Sequence, residues 1–146
     1  AVVMRDGRVT LNARRCWVDA HAFEALLCRS SDSRGAGKAA DAQQRRIEAA
    51  LALYAGPFLA DSEEPWAVAC RERLRAQLVR AALEQAAARE TAGQPEEALA
   101  LYRSYVEIDE GARPLAAEAV RLLRAAGRIH EAAALARRAG VNEHRG

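Results

Sequence analysis

The chain has 146 residues, of which 51% are apolar and 36 are alanine, and a formal net charge of +2. This length supports one domain with its own core, the alanines favour helices packed on helices, and the charge is too small to require nucleic acid as a partner. No apolar run approaches the roughly 18 residues of a membrane span, and the three cysteines form no CxxC pair, so we expect a cytoplasmic protein with free thiols and no membrane contact.

The amino-terminal stretch differs from the rest of the chain. Residues 2–11 read VVMRDGRVTL, with apolar and polar residues alternating after Asp6-Gly7. This pattern predicts a short β-hairpin closed by a two-residue turn. Because a lone hairpin is marginal in water, we expect it either to pack on the helices or to be the edge of a larger upstream domain.

The first helix is predicted to begin at Asp19, whose carboxylate can accept a hydrogen bond from a backbone N–H of the first turn. Trp17 or Val18, just before it, can pack on Phe23 in the manner of a hydrophobic staple. Phe23 also begins the apolar face of this helix, which we expect to end near Ser30.

A flexible loop is predicted next, over residues 30–39. Its sequence Gly35-Ala36-Gly37-Lys38 shares a lysine and two glycines with phosphate-binding loops. Ala39 stands where such loops carry the Ser or Thr that holds magnesium, and no strand precedes it. We therefore expect no nucleotide or other cofactor here.

The second helix is predicted from about Asp41 to Ala55, with one apolar face formed by Ile47, Leu51 and Tyr54. Gly56 suits the position just past a helix end, where the backbone turns left-handed. Pro57 then prevents the helix from continuing.

The third helix is predicted to be the longest, from Pro65 to Thr91. Proline suits the first turn of a helix because that turn needs no N–H donor. Phe58 is expected to anchor the connection that precedes this helix. Trp66 is expected to be a buried core anchor, whose truncation costs on the order of 3 kcal/mol.

The rest of the chain repeats itself with a period of 34 residues. Gly93 recurs as Gly127 and Ala98 recurs as Ala132. A glycine turn followed five positions later by a small residue is the spacing of tetratricopeptide helix pairs. The sequence therefore predicts an all-α, tetratricopeptide-like right-handed superhelix of six to seven helices in antiparallel pairs, with repeats at about 78–111 and 112–140 and a short amino-terminal β-hairpin.

The sequence contains no recognisable set of catalytic residues or metal ligands. His21, His130 and His144 are scattered, and none lies one helical turn from another histidine or from a cysteine. Paired glutamates occur where helices begin, and there they compensate the helix dipole without any catalytic role. We predict neither an enzyme nor a cofactor or metal site.

Charge alternates along the second half of the chain. Residues 65–92 hold five arginines and three glutamates, residues 93–111 hold one arginine and five acids, and residues 112–140 hold six arginines and two glutamates. This pattern is typical either of a polarised groove for a partner or second copy, or of neighbouring helices that neutralise each other. The candidate partner contacts are Arg71, Arg75, Arg121 and Arg124.

Several motifs together resemble one known family, the bacterial transcriptional activator domain of SARP-type regulators. The motifs are Trp17-Val18-Asp19, Phe23-Glu24, Leu53-Tyr54, Gly56-Pro57-Phe58-Leu59, Glu64-Pro65-Trp66 and Arg71-Glu72-Arg73-Leu74. The resemblance covers residues 13–140 and implies a tetratricopeptide-like regulatory module that follows a winged-helix DNA-binding domain.

On this resemblance, residues 1–12 are the last hairpin, or wing, of that upstream domain, and residues 13–146 are the helical module. The module is then expected to contact DNA only through the upstream domain. Its expected partners are proteins: a second copy in a homodimer, the transcription machinery or a regulatory domain. The alternative is a free-standing tetratricopeptide adaptor unrelated to transcription, which an upstream coding sequence without a winged helix would favour.

Overall fold

The computed structural model describes residues 2–5, 8–11, 19–31 and 38–141. The strands are β1 (Val2–Arg5) and β2 (Arg8–Leu11), and the helices are α1 (Asp19–Ser31), α2 (Lys38–Leu53), α3 (Pro65–Thr91), α4 (Pro95–Ile108), α5 (Arg113–Ala125) and α6 (Ile129–Ala139). Six helices in this part of the chain confirm the predicted all-α class.

The two strands pair antiparallel, with Val2 opposite Leu11 and Arg5 opposite Arg8. This register agrees with the predicted hairpin. The expected turn residues Asp6 and Gly7 lie outside the described residues, as do Trp17 and the three residues before Lys38.

Proline and glycine mark the helix boundaries as their backbone preferences require. Each of α3, α4 and α5 has a proline in its first turn, where its missing N–H is not needed. Gly93 follows α3 at φ 75° and Gly127 follows α5 at φ 73°, a left-handed conformation that glycine adopts at little cost. These two glycines turn the chain between the helices of each repeat.

The predicted end of α2 was wrong by two residues. The helix ends at Leu53, and the N–H of Tyr54 bonds the carbonyl of Leu51 at 3.2 Å, which tightens the last turn. The chain therefore leaves the helix before it reaches Gly56. Gly56 lies in the connection to α3 without a left-handed backbone, so it does not end the helix.

One continuous core runs through all six helices. The predicted faces of α1 and α2 are buried: Phe23 is 2% exposed and Ile47 is 2% exposed. In the repeats the contacts are made largely by alanines such as Ala98 and Ala132, which let the helices approach closely. Tyr102 is 2% exposed and fills the space between them.

The order of packing is that of a helical repeat. α1 packs on α2, α3 on α4, α4 on α5 and α5 on α6, and α3 also contacts α5. The prediction of tetratricopeptide-like antiparallel pairs is confirmed. Of the helices described, none is both long and apolar enough to cross a membrane.

Candidate functional site

A buried carboxylate joins the two halves of the domain. Asp109, in the connection between α4 and α5, is 1% exposed. The hydroxyl of Tyr54 donates to its Oδ2 at 2.7 Å, and the Nε of Arg75 donates to both oxygens at 3.0 and 2.9 Å. The N–H of Gly111 donates to Oδ1 at 2.9 Å. We call these four residues the joint network, because they tie the end of α2 and the middle of α3 to the repeats.

Hydrogen bonds keep this carboxylate ionised. Burial alone would raise the pKa of Asp109, but the bonds from Arg75 and Tyr54 outweigh it and hold the pKa below its usual range. Burial and the bond to Asp109 raise the pKa of Tyr54, so its proton stays on the hydroxyl. Every polar partner in the network is satisfied, so the arrangement is suited to holding helices together rather than to transferring protons.

The network also explains the absence of a side chain at residue 111. A Cβ at Gly111 would collide with the guanidinium of Arg75. That guanidinium cannot simply swing away, because Asp109 and Glu72 both hold it. Glycine is therefore required here by a close approach to Arg75, and not by a left-handed backbone.

Arg71 binds its own chain. Its Nη1 donates to the carbonyls of Phe58, at 3.2 Å, and Leu59, and its Nη2 donates to that of Ser62 at 3.1 Å. These bonds fix the connection between α2 and α3, including Leu59, which has φ 45° although it is not a glycine. Arg71 and Arg75 were expected to be partner contacts; the structure gives both an internal role.

The remaining two candidate arginines lie on α5. Arg121 is exposed and binds Glu90 of α3 at 2.7 Å and Glu118 of its own helix at 2.6 Å. These two glutamates raise the pKa of Arg121. Arg124 is exposed in the last turn of α5. Both remain candidate contacts.

Ion pairs between helices account for much of the alternating charge. The pairs that cross from one helix region to another are Arg121–Glu90, Arg89–Glu97, Arg128–Glu96 and Arg103–Glu131. Two of them, Arg89–Glu97 and Arg128–Glu96, pair an acid of α4 with an arginine of a neighbouring segment. The charge pattern therefore supports mutual neutralisation, which was one of the two interpretations, and does not by itself require a charged partner.

Trp66 is not the buried anchor that its sequence context predicted. Its side chain is 61% exposed, whereas the next residue, Ala67, is 0% exposed. Successive residues point about 100° apart around a helix, so the face that buries Ala67 and Leu74 turns Trp66 outward. The expectation of burial was wrong, because the small residue faces the core in this turn.

A cavity of about 300 Å³ opens between α1, the end of α2 and the connection to α3. We call it the joint cavity. Its lining residues are Asp19, Ala20, Phe23, Leu53, Tyr54, Ala55, Gly56, Pro57, Phe58, Leu59 and Leu74. Asp19 is the first residue of α1, and its carboxylate accepts the N–H of the next residue, Ala20, at 2.8 Å.

Two further pits lie along the second and fourth helices of the repeats, α4 and α6. One, of about 350 Å³, lies on α4, and the other, of about 190 Å³, lies between α4 and α6. Three lining residues of one pit have equivalents in the other pit, 34 positions later in the chain. The equivalent pairs are Glu97 and Glu131, Ala100 and Ala134, and Leu101 and Leu135. We call them the repeat pits. Each has an arginine–glutamate pair among its lining residues.

Histidine, cysteine and acidic side chains are the candidates for a metal site. The described residues contain no group of three or more His, Cys, Asp or Glu side chains that could hold a metal ion. His21 and His130 are both exposed, and Cys70 is a free thiol. In the sequence, Asp109 is only one of the five acidic residues between positions 93 and 111. The signal that could have identified it is an aspartate two residues before a glycine, ahead of a predicted helix.

A family described as "Bacterial transcriptional activator domain" has a model that matches residues 18–140. The chain belongs to this family. No curated protein and no solved structure matches the chain significantly. The matched region begins one residue before α1 and ends at Gly140, which terminates α6, so the activator domain comprises all six helices, the joint network, the joint cavity and both repeat pits. It is a regulatory domain of bacterial transcriptional activators, as the resemblance implied.

Proposed function

We propose that this activator domain is a non-catalytic protein-interaction module of a cytoplasmic DNA-binding regulator. It binds a protein partner, which is a second copy, the transcription machinery or a regulatory domain, and DNA is read by a winged-helix domain upstream of it. Membership in the activator family supports this role over that of a free-standing adaptor.

The observation that carries the proposal is the pair of repeat pits. Each has an apolar wall, formed by Leu101 in one and Leu135 in the other, and each is lined by an alanine that faces solvent. Helical repeats commonly use such a periodic surface to hold an extended or helical segment. A partner with two apolar side chains one repeat apart fits this surface.

The test fills the pits in the intact regulator. The double variant Ala100→Arg, Ala134→Arg places a long side chain in each pit without touching the core, because both alanines are exposed. Reporter transcription from the target promoter is expected to fall at least about tenfold, the effect of losing about 1.4 kcal/mol of partner binding. Promoter binding in a gel shift is expected to stay unchanged.

The matched control places the same two charges elsewhere. Ala117→Arg, Ala125→Arg alters exposed alanines of α5, which line neither pit, and is expected to leave transcription within about twofold of wild type. Equal loss in both double variants would mean that added charge, and not the pits, affects the regulator. Full activity of the pit variant would refute the proposal.

The upstream coding sequence supplies a second test. A winged helix whose last hairpin is residues 2–11 is expected there. The present chain alone is expected to bind promoter DNA no more tightly than random DNA at physiological salt. A sequence-selective gel shift by this chain would contradict the assignment of DNA reading to another domain.

A further inference from the structure

The most distinctive stretch of the sequence surrounds the joint cavity. All seven residues from Leu53 to Leu59 line it, together with the first turns of α1 and with Leu74 of α3. Packing accounts for Tyr54, which is buried, but Leu59 is 46% exposed and Gly56 has open space around its Cα. The same residues thus form one side of the core and also border an open cleft of about 300 Å³.

Most side chains that line this cavity are apolar or aromatic, although polar atoms make up slightly more than half of its exposed surface. The rings of Phe23 and Tyr54 lie 5.7 Å apart between centroids, and Phe58 packs partly buried beside the core. Arg71 holds the backbone of Phe58 and Leu59 in place from outside the cavity lining. The cavity is therefore bounded by fixed groups, and its volume matches the lower end of small-molecule sites.

The charge at the cavity is negative. Among the lining residues that the structure describes, Asp19 is the one carboxylic acid, and none is a lysine or an arginine. Within the described part of the chain, its carboxylate bonds only the N–H of Ala20 and has no cationic partner. The carboxyl end of α2 adds a negative helix-dipole pole and the amino end of α1 adds a positive one, so these two offset each other and the carboxylate of Asp19 sets the sign. A cation is thus favoured there over a neutral molecule or an anion.

We propose that the joint cavity binds a compact organic cation, an ammonium group on an aromatic or branched apolar body. The ammonium pairs with Asp19, and the body lies against Phe23, Tyr54 and Phe58, where aromatic faces also attract a cation. This ligand site goes beyond the protein-binding role proposed above and does not depend on it, since the repeat pits share no residue with it.

The test uses 2-phenylethylammonium as the probe and neutral 2-phenylethanol as its uncharged counterpart, each titrated into the chain and followed by protein NMR. Saturable shifts are expected for residues 53–59, and the neutral probe is expected to bind at least about fivefold more weakly. This comparison needs no variant, so it cannot be confused with misfolding. Absence of saturable binding by the ammonium probe, or equal affinity for the two probes, would overturn the proposal.

Two variants test whether the carboxylate of Asp19 is the charge that binds the ammonium probe. Asp19→Asn keeps a good helix cap and removes the carboxylate, and is expected to weaken the ammonium probe about fivefold. Asp61→Asn removes an exposed acid that does not line the cavity, and is expected to change affinity by less than twofold. If Asp19→Asn binds as tightly as wild type, the assigned site is wrong. The transcription test of the repeat pits is unaffected by either result.

Discussion

At the scale of single residues, Asp109 connects three separate parts of the chain, although nothing in its local sequence predicts these contacts. It is a buried charge, and it is tolerated because three groups from three parts of the chain donate to it. Removing one partner of such a pair costs more than the pair itself contributes, since the other charge is left buried.

We expect Asp109→Asn to lower the free energy of unfolding by about 3 kcal/mol at pH 7, because Arg75 then loses its buried anion and keeps only the exposed Glu72. The pKa of Asp109 is depressed, so its stabilisation is complete above the unfolded-state pKa of about 4 and is lost as pH falls through the folded-state pKa. Urea unfolding at pH 7 and below pH 4 should show the difference between variant and wild type shrinking in acid.

Glu110→Gln provides the control for this measurement, since Glu110 is the exposed neighbour of Asp109. It should change stability by less than about 0.5 kcal/mol at either pH. A difference between Asp109→Asn and wild type that stays constant down to pH 2 would mean that the carboxylate charge is not what stabilises the joint.

Trp66→Ala should cost less than about 1 kcal/mol, because more than half of the side chain is already in water. Leu78→Ala, at a position that is 0% exposed on the same helix, should cost about 3 kcal/mol. Chemical denaturation of the two variants in parallel makes the comparison. A larger loss for Trp66→Ala than for Leu78→Ala would show that the tryptophan is buried in solution.

These residues mark where sequence reasoning succeeds and fails. Helical spacing placed Tyr54 on the apolar face of the second helix, and the residue is buried. Its hydroxyl bond to Asp109 joins residues 55 positions apart, and no local pattern encodes such a contact. Trp66 was predicted to be buried because its side chain is large and apolar. The face of α3 that meets the core is instead determined by the helices that pack on it, and Trp66 lies outside that face.

At the scale of elements, helix ends followed local rules wherever proline or left-handed glycine was decisive. The start of α3 at Pro65 and its end at Thr91 were predicted correctly. The end of α2 was predicted at Ala55 but lies at Leu53, four residues before Pro57, whose ring would clash with the carbonyl of residue 53 in a continuing helix. The 34-residue period and the turn residues thus predict the repeats better than they predict the connection between α2 and α3.

The two kinds of glycine should respond differently to alanine. Gly127→Ala should destabilise the domain by about 1 kcal/mol, because φ 73° is strained for a residue with a Cβ. Gly56→Ala should be neutral or slightly stabilising, since its backbone is not left-handed and a Cβ there meets nothing within 4 Å. Thermal melts of both variants test this, and equal destabilisation would contradict it.

At the scale of the whole molecule, α1 and α2 are attached to the repeats through α3 and through one buried hydroxyl. Tyr54→Phe removes that bond and leaves Asp109 with Arg75 and Gly111. We expect amide exchange in α2 to become about tenfold faster, while exchange in α5 stays within about twofold, because a lost hydrogen bond of about 1.4 kcal/mol eases local opening. Hydrogen exchange measured by NMR resolves the two helices.

Tyr105→Phe is the matched control, because it removes a partly buried hydroxyl outside the joint network. It should leave exchange in α2 unchanged. If Tyr54→Phe accelerates exchange in α2 and α5 equally, the domain opens as one cooperative unit and the joint network does not separate its halves.

The unbroken length of α3 has a mechanical consequence. Its 27 residues form a rod of about 40 Å that contacts both halves of the domain. In its later turns Arg89 pairs with Glu97 of α4, and Gln85 bonds Gln44 of α2. A rod without a proline or glycine inside it does not hinge. The first helix pair and the start of the repeats therefore share one stiff support, without a lever arm between them.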